Sequence, residues 1–380
     1  MTMLPDFKLE TYLAKWEFAA RYHMTASDME ALTLSELLAM ATPEDRAAFE
    51  HLKLGYIETT GTPALRAAIA GTYAGLEAED VVTFAGAEEG IFCAVHALLD
   101  SDSHAVVVTP NYQSSETLPL SICDTTGVAL READDWRLDL DDVRAALRAN
   151  TKLVLVNFPH NPTGKVAERA TFDALVALCD ERGIHLLSDE VYRGLERSAA
   201  IRLPQASEAS ARGVSVNVMS KAFGLPGLRV GWVACRDRAL LSRMERIKHY
   251  LSICNAGPSE HLAVIALKAR ERILARNRAL IEANLKEVNA FFAEFAELFD
   301  WRVPDGGCIG FPRYKGKHGV ETFCRRLGEE TGAVLLPASI YQSALTPTPT
   351  DRFRIGFGRS YVPEGLAAMR AWLRGNRQAA

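Results

Sequence analysis

The chain is expected to be an α/β protein, with a large domain built on a mostly parallel sheet between helices and a smaller α/β domain beside it. Three observations predict this. From Val81 onward, short apolar runs alternate with polar or glycine-rich turns and helical runs, the grammar of a parallel sheet covered on both faces. The unusual residues crowd just after the apolar runs, where open α/β sheets bind their ligands. Past about residue 240 the pattern changes to long amphipathic stretches followed by short strands. Two units of about 150 residues or a little more suit a chain of 380 residues. The large domain is assigned to 46–245, and the smaller one to 1–45 with 246–380.

Near the start, Leu9, Tyr12, Leu13, Trp16 and Ala20 fall near helical spacing. They predict an amphipathic helix with Trp16 inward and with Glu10 and Glu17 on neighbouring faces. In GYIETTGTPALRAAIA, residues 55–70, Pro63 suits the first turn of a helix. Strands are predicted at Val81–Phe84, Ala105–Thr109, Leu153–Phe158, Ile184–Ser188, Val214–Met219 and Val230–Cys235. Between them, Phe172, Leu175, Val176 and Cys179 recur with the period of a helix. Leu240 to Leu298 reads as helices broken around Asn255–Pro258, and Arg352–Gly356 as a strand. No low-complexity linker or internal repeat interrupts the chain.

Composition narrows the function. Hydrophobic residues at 48% and charged residues at 24% are those of an ordinary globular protein. A net charge of −5 with no basic block argues against a nucleic-acid surface. No apolar run approaches the ~18 residues of a membrane span, and the start, MTMLPDFKLETYL, lacks an apolar signal core. The seven cysteines are scattered without CxxC pairs, so neither a zinc site nor a disulfide framework is implied. Reduced thiols in a cytoplasmic protein, with no bound metal, are the expectation.

The stretch VSVNVMSKAFGLPGLRVGW, residues 214–232, organises the rest. Its β-branched run ends in Ser220 and Lys221, and a Gly/Pro-rich loop leads to Arg229. A strand-end lysine is ordinarily a solvated charge. When desolvated beside cations its ammonium pKa falls, and the amine can attack a carbonyl. A guanidinium eight residues on offers a fixed fork for an oxyanion such as phosphate. Together they suggest a Schiff base to a phosphorylated aldehyde.

The string S-K-A-F-G-x-P-G-x-R-V-G resembles the cofactor-lysine segment of the class I/II aminotransferases, the fold-type I pyridoxal 5'-phosphate enzymes. That resemblance implies a seven-stranded, mostly parallel sheet, a homodimer, and the cofactor held on Lys221. It covers about residues 55 to 360 in pattern, with sharp motifs from Gly86 to Gly231 and again at Arg354. Gly86-Ala87-Glu88-Glu89-Gly90 follows a strand and opens a helix, so its free N–H groups and the helix dipole favour an anion. Glu88 and Glu89 carry the wrong charge for phosphate, so only the backbone groups there, Glu88's included, are credible ligands. Tyr112 matches the aromatic that stacks on the cofactor ring, contributing roughly 0.5–1.5 kcal/mol beyond area burial. Asp189 ends a buried strand and needs a partner; the resemblance makes that partner the protonated ring nitrogen. Tyr192 and Asn161 (the latter in the N-x-P-x-N-P-T-G string) are matched to the phenolic oxygen. Tyr56 matches a tyrosine that reaches the phosphate of the neighbouring subunit. Arg354, alternating with apolar neighbours, matches the arginine that grips the substrate α-carboxylate. His160 reads as a loop residue, Glu190 as structural, and Arg352 and Arg359 as solvated.

Two departures stand out. Three residues before the lysine, the family's usual Ser or Thr phosphate ligand is Val218 here, and Ser220 is the candidate substitute. The start also lacks the family's glycine-containing extended segment. Its KWEF stretch followed by Ser27-Asp28 looks more like capreomycidine synthase and related enzymes acting on arginine-derived amino acids, which makes Glu17 a candidate for meeting a cationic side chain. Core packing and a solvated carboxylate explain the same segment equally well. The expected reaction is transfer of an amino group between an L-amino acid and a 2-oxo acid by a ping-pong mechanism. The alternatives are a lyase of the same cofactor, an oxidase or cyclase for arginine-like substrates, and, more remotely, a non-catalytic cofactor-binding regulator. Such regulators carry an N-terminal DNA-binding module, for which the stretch before the core is too short.

Overall fold

In the computed structural model, which describes residues 4–376, the chain is organised by a seven-stranded sheet. Its strands are β1 (Val81–Phe84), β2 (His104–Thr109), β3 (Asp124–Ala129), β4 (Thr151–Asn157), β5 (His185–Asp189), β6 (Gly213–Val218) and β7 (Gly231–Cys235). They lie in the order β1-β7-β6-β5-β4-β2-β3. Every neighbouring pair is parallel except those made by β7, which runs against both β1 and β6. The six predicted strands are all present within one or two residues of the expected bounds. β3 is the one the sequence hid: DTTGVA is polar, and as an edge strand it is largely half-buried.

Alternation across the sheet builds two cores. Val82, Phe84, Ala105, Val107, Leu153 and Leu155 face the helices Ala87–Leu98 and Arg238–Lys248. Val106, Val108, Val154 and Val156 face the other way, toward the helix Arg169–Arg182. In that helix Phe172, Leu175, Val176 and Cys179 are all buried, as their spacing predicts. The helix at Pro63–Ala70 begins on its proline, with Thr62 capping it through Leu65 N.

Beyond the sheet, helices run Arg238–Lys248, Gly257–Lys268 and Arg270–Glu294. The short strands β8 (Phe299–Asp300), β9 (Ile309–Gly310), β10 (Arg313–Tyr314), β11 (Leu336–Pro337) and β12 (Phe353–Gly356) form two small sheets, the larger ordered β11-β12-β9. The N-terminal helix spans Lys8–Trp16. Its buried residue is Leu9, whereas Trp16 is only half-buried against Gly328, and Ala20 lies past the helix end. From there the chain continues as a strap tied to the C-terminal part. Tyr22 N donates to Gly332 O (2.9 Å), Gly356 N to Met24 O (2.7 Å) and Glu30 N to Gly358 O (2.7 Å). Among the described residues no helix is long and apolar enough to cross a membrane, no group of His, Cys, Asp or Glu could hold a metal ion, and all seven cysteines are free thiols.

Candidate active site

The carboxyl ends of β1, β2, β4, β5 and β6 all open onto one edge of the sheet. Because β7 runs the other way, its start lies at that same edge, which is why Arg229 returns to the neighbourhood of Lys221. A cavity of about 380 Å³ lies there, in the size range of a small-molecule site. Ala87, Glu88, Tyr112, Asn161, Asp189, Tyr192, Ser220, Lys221, Arg229, Arg354 and Glu17 all line it.

At one end is the turn into the helix Ala87–Leu98. Gly86 has φ +107°, and a Cβ there would lie 2.6 Å from Arg229 Nη2, so the close approach requires glycine. Arg229 donates through Nη2 to Ala85 O (3.2 Å) and through Nη1 to Ser220 Oγ (3.5 Å). The first N–H groups of the helix have no intrahelical partner. Glu89 turns back to accept from Ala85 N (2.6 Å). Glu88 accepts from the Ser114 hydroxyl (2.9 Å), and burial pushes its carboxyl up to about 7, which reduces the charge it presents to an anion at neutral pH. Val218 also lines the cavity and carries no hydroxyl.

The middle holds the amine and the acid. Lys221 Nζ donates to Ser27 Oγ at 2.9 Å. Loss of water lowers its pKa; Asp28 opposes that shift and Arg354 adds to it. Asp189 is buried and, among the described residues, its carboxylate accepts only from Val191 N (3.1 Å). Burial pushes it up to about 6. Tyr112 stands at the side, its ring 5.2 Å from that of Phe7 and its hydroxyl donating to Glu10 Oε1 (3.4 Å).

The far end is built around Arg354, which is 1% exposed. It donates through Nη1 to Tyr341 OH (2.7 Å) and Asn161 Oδ1 (3.4 Å), through Nε to Thr25 Oγ1 (3.3 Å), and through Nη2 to Thr25 O (2.8 Å). Tyr341 OH donates in turn to Asn161 Oδ1 (2.9 Å). Glu10, Glu17, His23 and Asp28 line the same cavity. Desolvation and the neighbouring Asp28 and Glu10 raise the Glu17 pKa. His23 is pushed down to about 4 by burial and by Arg354, and its buried Nε2 has no hydrogen-bond partner.

Tyr56 stands apart: it is 92% exposed and does not line the cavity. Arg352 and Arg359, expected to be solvated, are not. Arg352 is buried, donates to Phe311 O (2.7 Å), pairs with Glu132 and lies over the Trp136 ring, because the entry to β12 brings its side chain against residues 132–136. Arg359 pairs with Asp28 at 2.8 Å. His160 is enclosed by Thr163 and Pro110 O, and Glu190 accepts from Ala206 N, both away from the cavity. His23, Thr25 and Tyr341 gave no signal in the sequence. Each is a single polar residue in a stretch without a motif, brought in by the strap or by the segment before β12.

A family model for aminotransferases of class I and II matches residues 27–362. The capreomycidine synthase of Streptomyces vinaceus is 31% identical over 374 residues, covering 96% of this chain and 93% of that protein. The arginine–pyruvate transaminase of Pseudomonas aeruginosa is 28% identical over 332 residues, covering 83% and 81%. Among solved structures, a pyridoxal-phosphate-dependent aminotransferase from Streptococcus suis superposes with a TM-score of 0.91 at 29% identity, covering 99% of each chain. A pyridoxal-phosphate-dependent cyclase shares the fold at a TM-score of 0.89 and 24% identity.

Proposed function

The chain belongs to the class I and II aminotransferases, fold-type I enzymes that use pyridoxal phosphate, and on that premise we propose that it moves the amino group of an L-amino acid with a cationic side chain to a 2-oxo acid by a ping-pong route. One observation carries this reading. Lys221, Asp189 and Arg354 open onto a single cavity that is also lined by the carboxylates of Glu10 and Glu17. The residues fit the cofactor on the structure's own terms. Asp189 is a buried acid without a cation in hydrogen-bond contact, and the Gly86 turn at the helix start lies against Arg229, which reaches Ser220.

When bound, the cofactor supplies an aldehyde and a ring that withdraws electrons from the substrate Cα. The chain's part follows from its geometry. Arg229, Ser220 and the backbone N–H groups of Ala87 and Glu88 would hold the phosphate, with Tyr112 against the ring face and Asp189 keeping the ring nitrogen protonated. Tyr192 and Asn161 would meet the phenolic oxygen. Lys221, a desolvated amine, would be the group that takes the proton from Cα and delivers it to the carbon that carried the aldehyde. Arg354 would orient the donor through its α-carboxylate, and Glu17 and Glu10, carboxylates of the same cavity, would meet its cationic side chain. Two relatives whose names refer to arginine or to capreomycidine support a cationic donor.

A second copy of the chain is proposed to cover the exposed patch around Leu54, Tyr56 and Tyr250, 85%, 92% and 92% exposed, so that Tyr56 reaches the partner's phosphate. The cytoplasm, where seven free thiols stay reduced, is the proposed compartment. A second reading, cyclisation or oxidation of an arginine-like substrate, is favoured by His23, a neutral imidazole in the cavity for which amino transfer has no use. The test is a single turnover with arginine and with norleucine. Stoichiometric conversion to pyridoxamine phosphate, reversed by a 2-oxo acid and faster with arginine, supports transamination. Ammonia and a 2-oxo acid appearing without an amino acceptor but with consumption of dioxygen would indicate oxidation, and a cyclic product would indicate cyclisation, either of which favours the second reading.

A further inference from the structure

Lys248 is fully buried at the end of the helix Arg238–Lys248, outside the cavity. Its ammonium donates to Thr59 O (2.7 Å), Thr83 O (2.7 Å) and Asn255 Oδ1 (3.2 Å), and Asn255 Nδ2 donates to Phe84 O (3.2 Å). Among the described residues no carboxylate hydrogen-bonds to it. Glu89 is engaged with Ala85 N (2.6 Å) and Ser252 N (3.1 Å), and Glu260 with Thr62 N (2.7 Å) and Thr83 Oγ1 (2.8 Å). Burying an ammonium among neutral oxygens is costly, and an apolar side chain would fill the same space without that cost. What an ammonium alone supplies is three donors from one point with no lone pair to be satisfied.

Those donors act on the last residues of β1. Thr83 O is held by Lys248, Phe84 O by Asn255, Ala85 N by Glu89 and Ala85 O by Arg229. Every peptide group from 83 to 85 is thus pinned by a side chain from another part of the chain or from the following helix. The next residues are Gly86, whose N–H donates to Phe84 O (2.8 Å), and Ala87 and Glu88, whose N–H groups are the ones proposed to meet the phosphate. The same ammonium holds Thr59 O, three residues beyond Tyr56. We propose that Lys248 is a positioning residue for phosphate: with Asn255 it forms a collar that fixes the end of β1 so that the N–H groups of the Gly86 turn are aimed before the anion arrives. This rests on the reading of the cavity as the cofactor site.

The test separates phosphate from ring. Full-length wild type, Lys248→Met and Asn255→Ala are titrated with pyridoxal phosphate and with pyridoxal, which keeps the ring and aldehyde but lacks the phosphate. Binding is followed by absorbance. Lys248→Met is expected to weaken pyridoxal phosphate about tenfold or more and to leave pyridoxal unchanged. Unchanged affinity for both, or an equal loss for both, overturns the inference. Should Lys248→Met not fold, the same pair of titrations on Asn255→Ala decides, with selective loss supporting the collar and unchanged or equal affinities overturning it. A wild type that bound neither compound would sink the reading of the cavity, and the collar with it. A wild type that bound both, with variants unaffected, would sink the collar alone.

Discussion

Replacing Asp189 by Asn should stabilise the cofactor-free protein at neutral pH while disabling the enzyme. The carboxylate accepts a single hydrogen bond, from Val191 N, and burial moves its pKa from 3.8 to about 6. Two units and a little, at 1.36 kcal/mol each, make about 3 kcal/mol. The sign follows from proton counting. Between about pH 4 and 6 the folded chain keeps a proton that the unfolded chain has lost, so wild-type stability falls as pH rises through that window and stays low above it. An amide has no such proton, so the gap between Asp189→Asn and wild type should open from nothing near pH 4 to about 3 kcal/mol at pH 7. Burial also raises Glu88 and Glu190, both to about 7. Glu190 is common to both proteins and cancels in the difference, whereas Glu88, raised in part by the Asp189 charge, relaxes downward in the variant and widens the gap a little. Urea denaturation of the cofactor-free proteins at unit pH intervals measures the gap. Adding pyridoxal phosphate should close it, because Asp189 then gains the cationic partner it lacks. Parallel curves from pH 4 to 8 would show that the buried carboxylate carries no such cost, and the argument for a ring-nitrogen partner would lose its physical basis.

Lys221→Ala should retain no cofactor mass after borohydride reduction, while wild type retains one equivalent on a peptide containing Lys221; an equal adduct on both would relocate the amine. Arg354→Lys should cost about 2–5 kcal/mol of donor binding, seen as a raised KM, because an ammonium cannot reproduce the planar fork held by Thr25 and Tyr341; an unchanged KM would remove Arg354 from the carboxylate site. Glu17→Gln should raise KM about two- to fivefold for a guanidinium or ammonium donor and leave norleucine unaffected. The factor is small because Glu17 is exposed and screened by water, and equal effects on both donors would end its assignment to the side chain.

How much was legible follows from where each residue sits. Residues that follow buried strands carry their message in sequence, because an apolar run ending in Ser-Asp, Ser-Lys or Asn-Pro is chemically conspicuous. Asp189, Lys221 and Asn161 were found that way, and all three line the cavity. The edge strand Asp124–Ala129 was not legible, since a half-exposed strand needs no apolar run. Arg352 and Arg359 were misread because a charged residue in a strand or loop looks solvated until its partner is known. Glu132 and Asp28, lying 220 and 331 positions away, supply those partners through tertiary contact alone. Tyr341 and Thr25 escaped for the same reason: nothing local distinguishes a hydroxyl or carbonyl destined for a guanidinium.

The strap from Tyr22 to Glu30 links two groups that the chemistry must coordinate. Its backbone is tied to the C-terminal part at Gly332, Gly356 and Gly358. From it Thr25 holds Arg354 and Ser27 accepts from Lys221. Four hydrogen bonds orient the guanidinium before any substrate arrives, so little ordering remains to be done when a carboxylate docks. The electrostatics then work in the right direction. Desolvation is the largest cause of the low Lys221 pKa, and Arg354 lowers it further. A donor carboxylate pairing with Arg354 neutralises that second influence, so the amine becomes a stronger base only once a substrate with its α-carboxylate in place has presented its Cα–H. A ligand lacking that carboxylate would leave the amine weaker, which couples recognition at one end of the cavity to proton transfer in its middle without any movement of the chain.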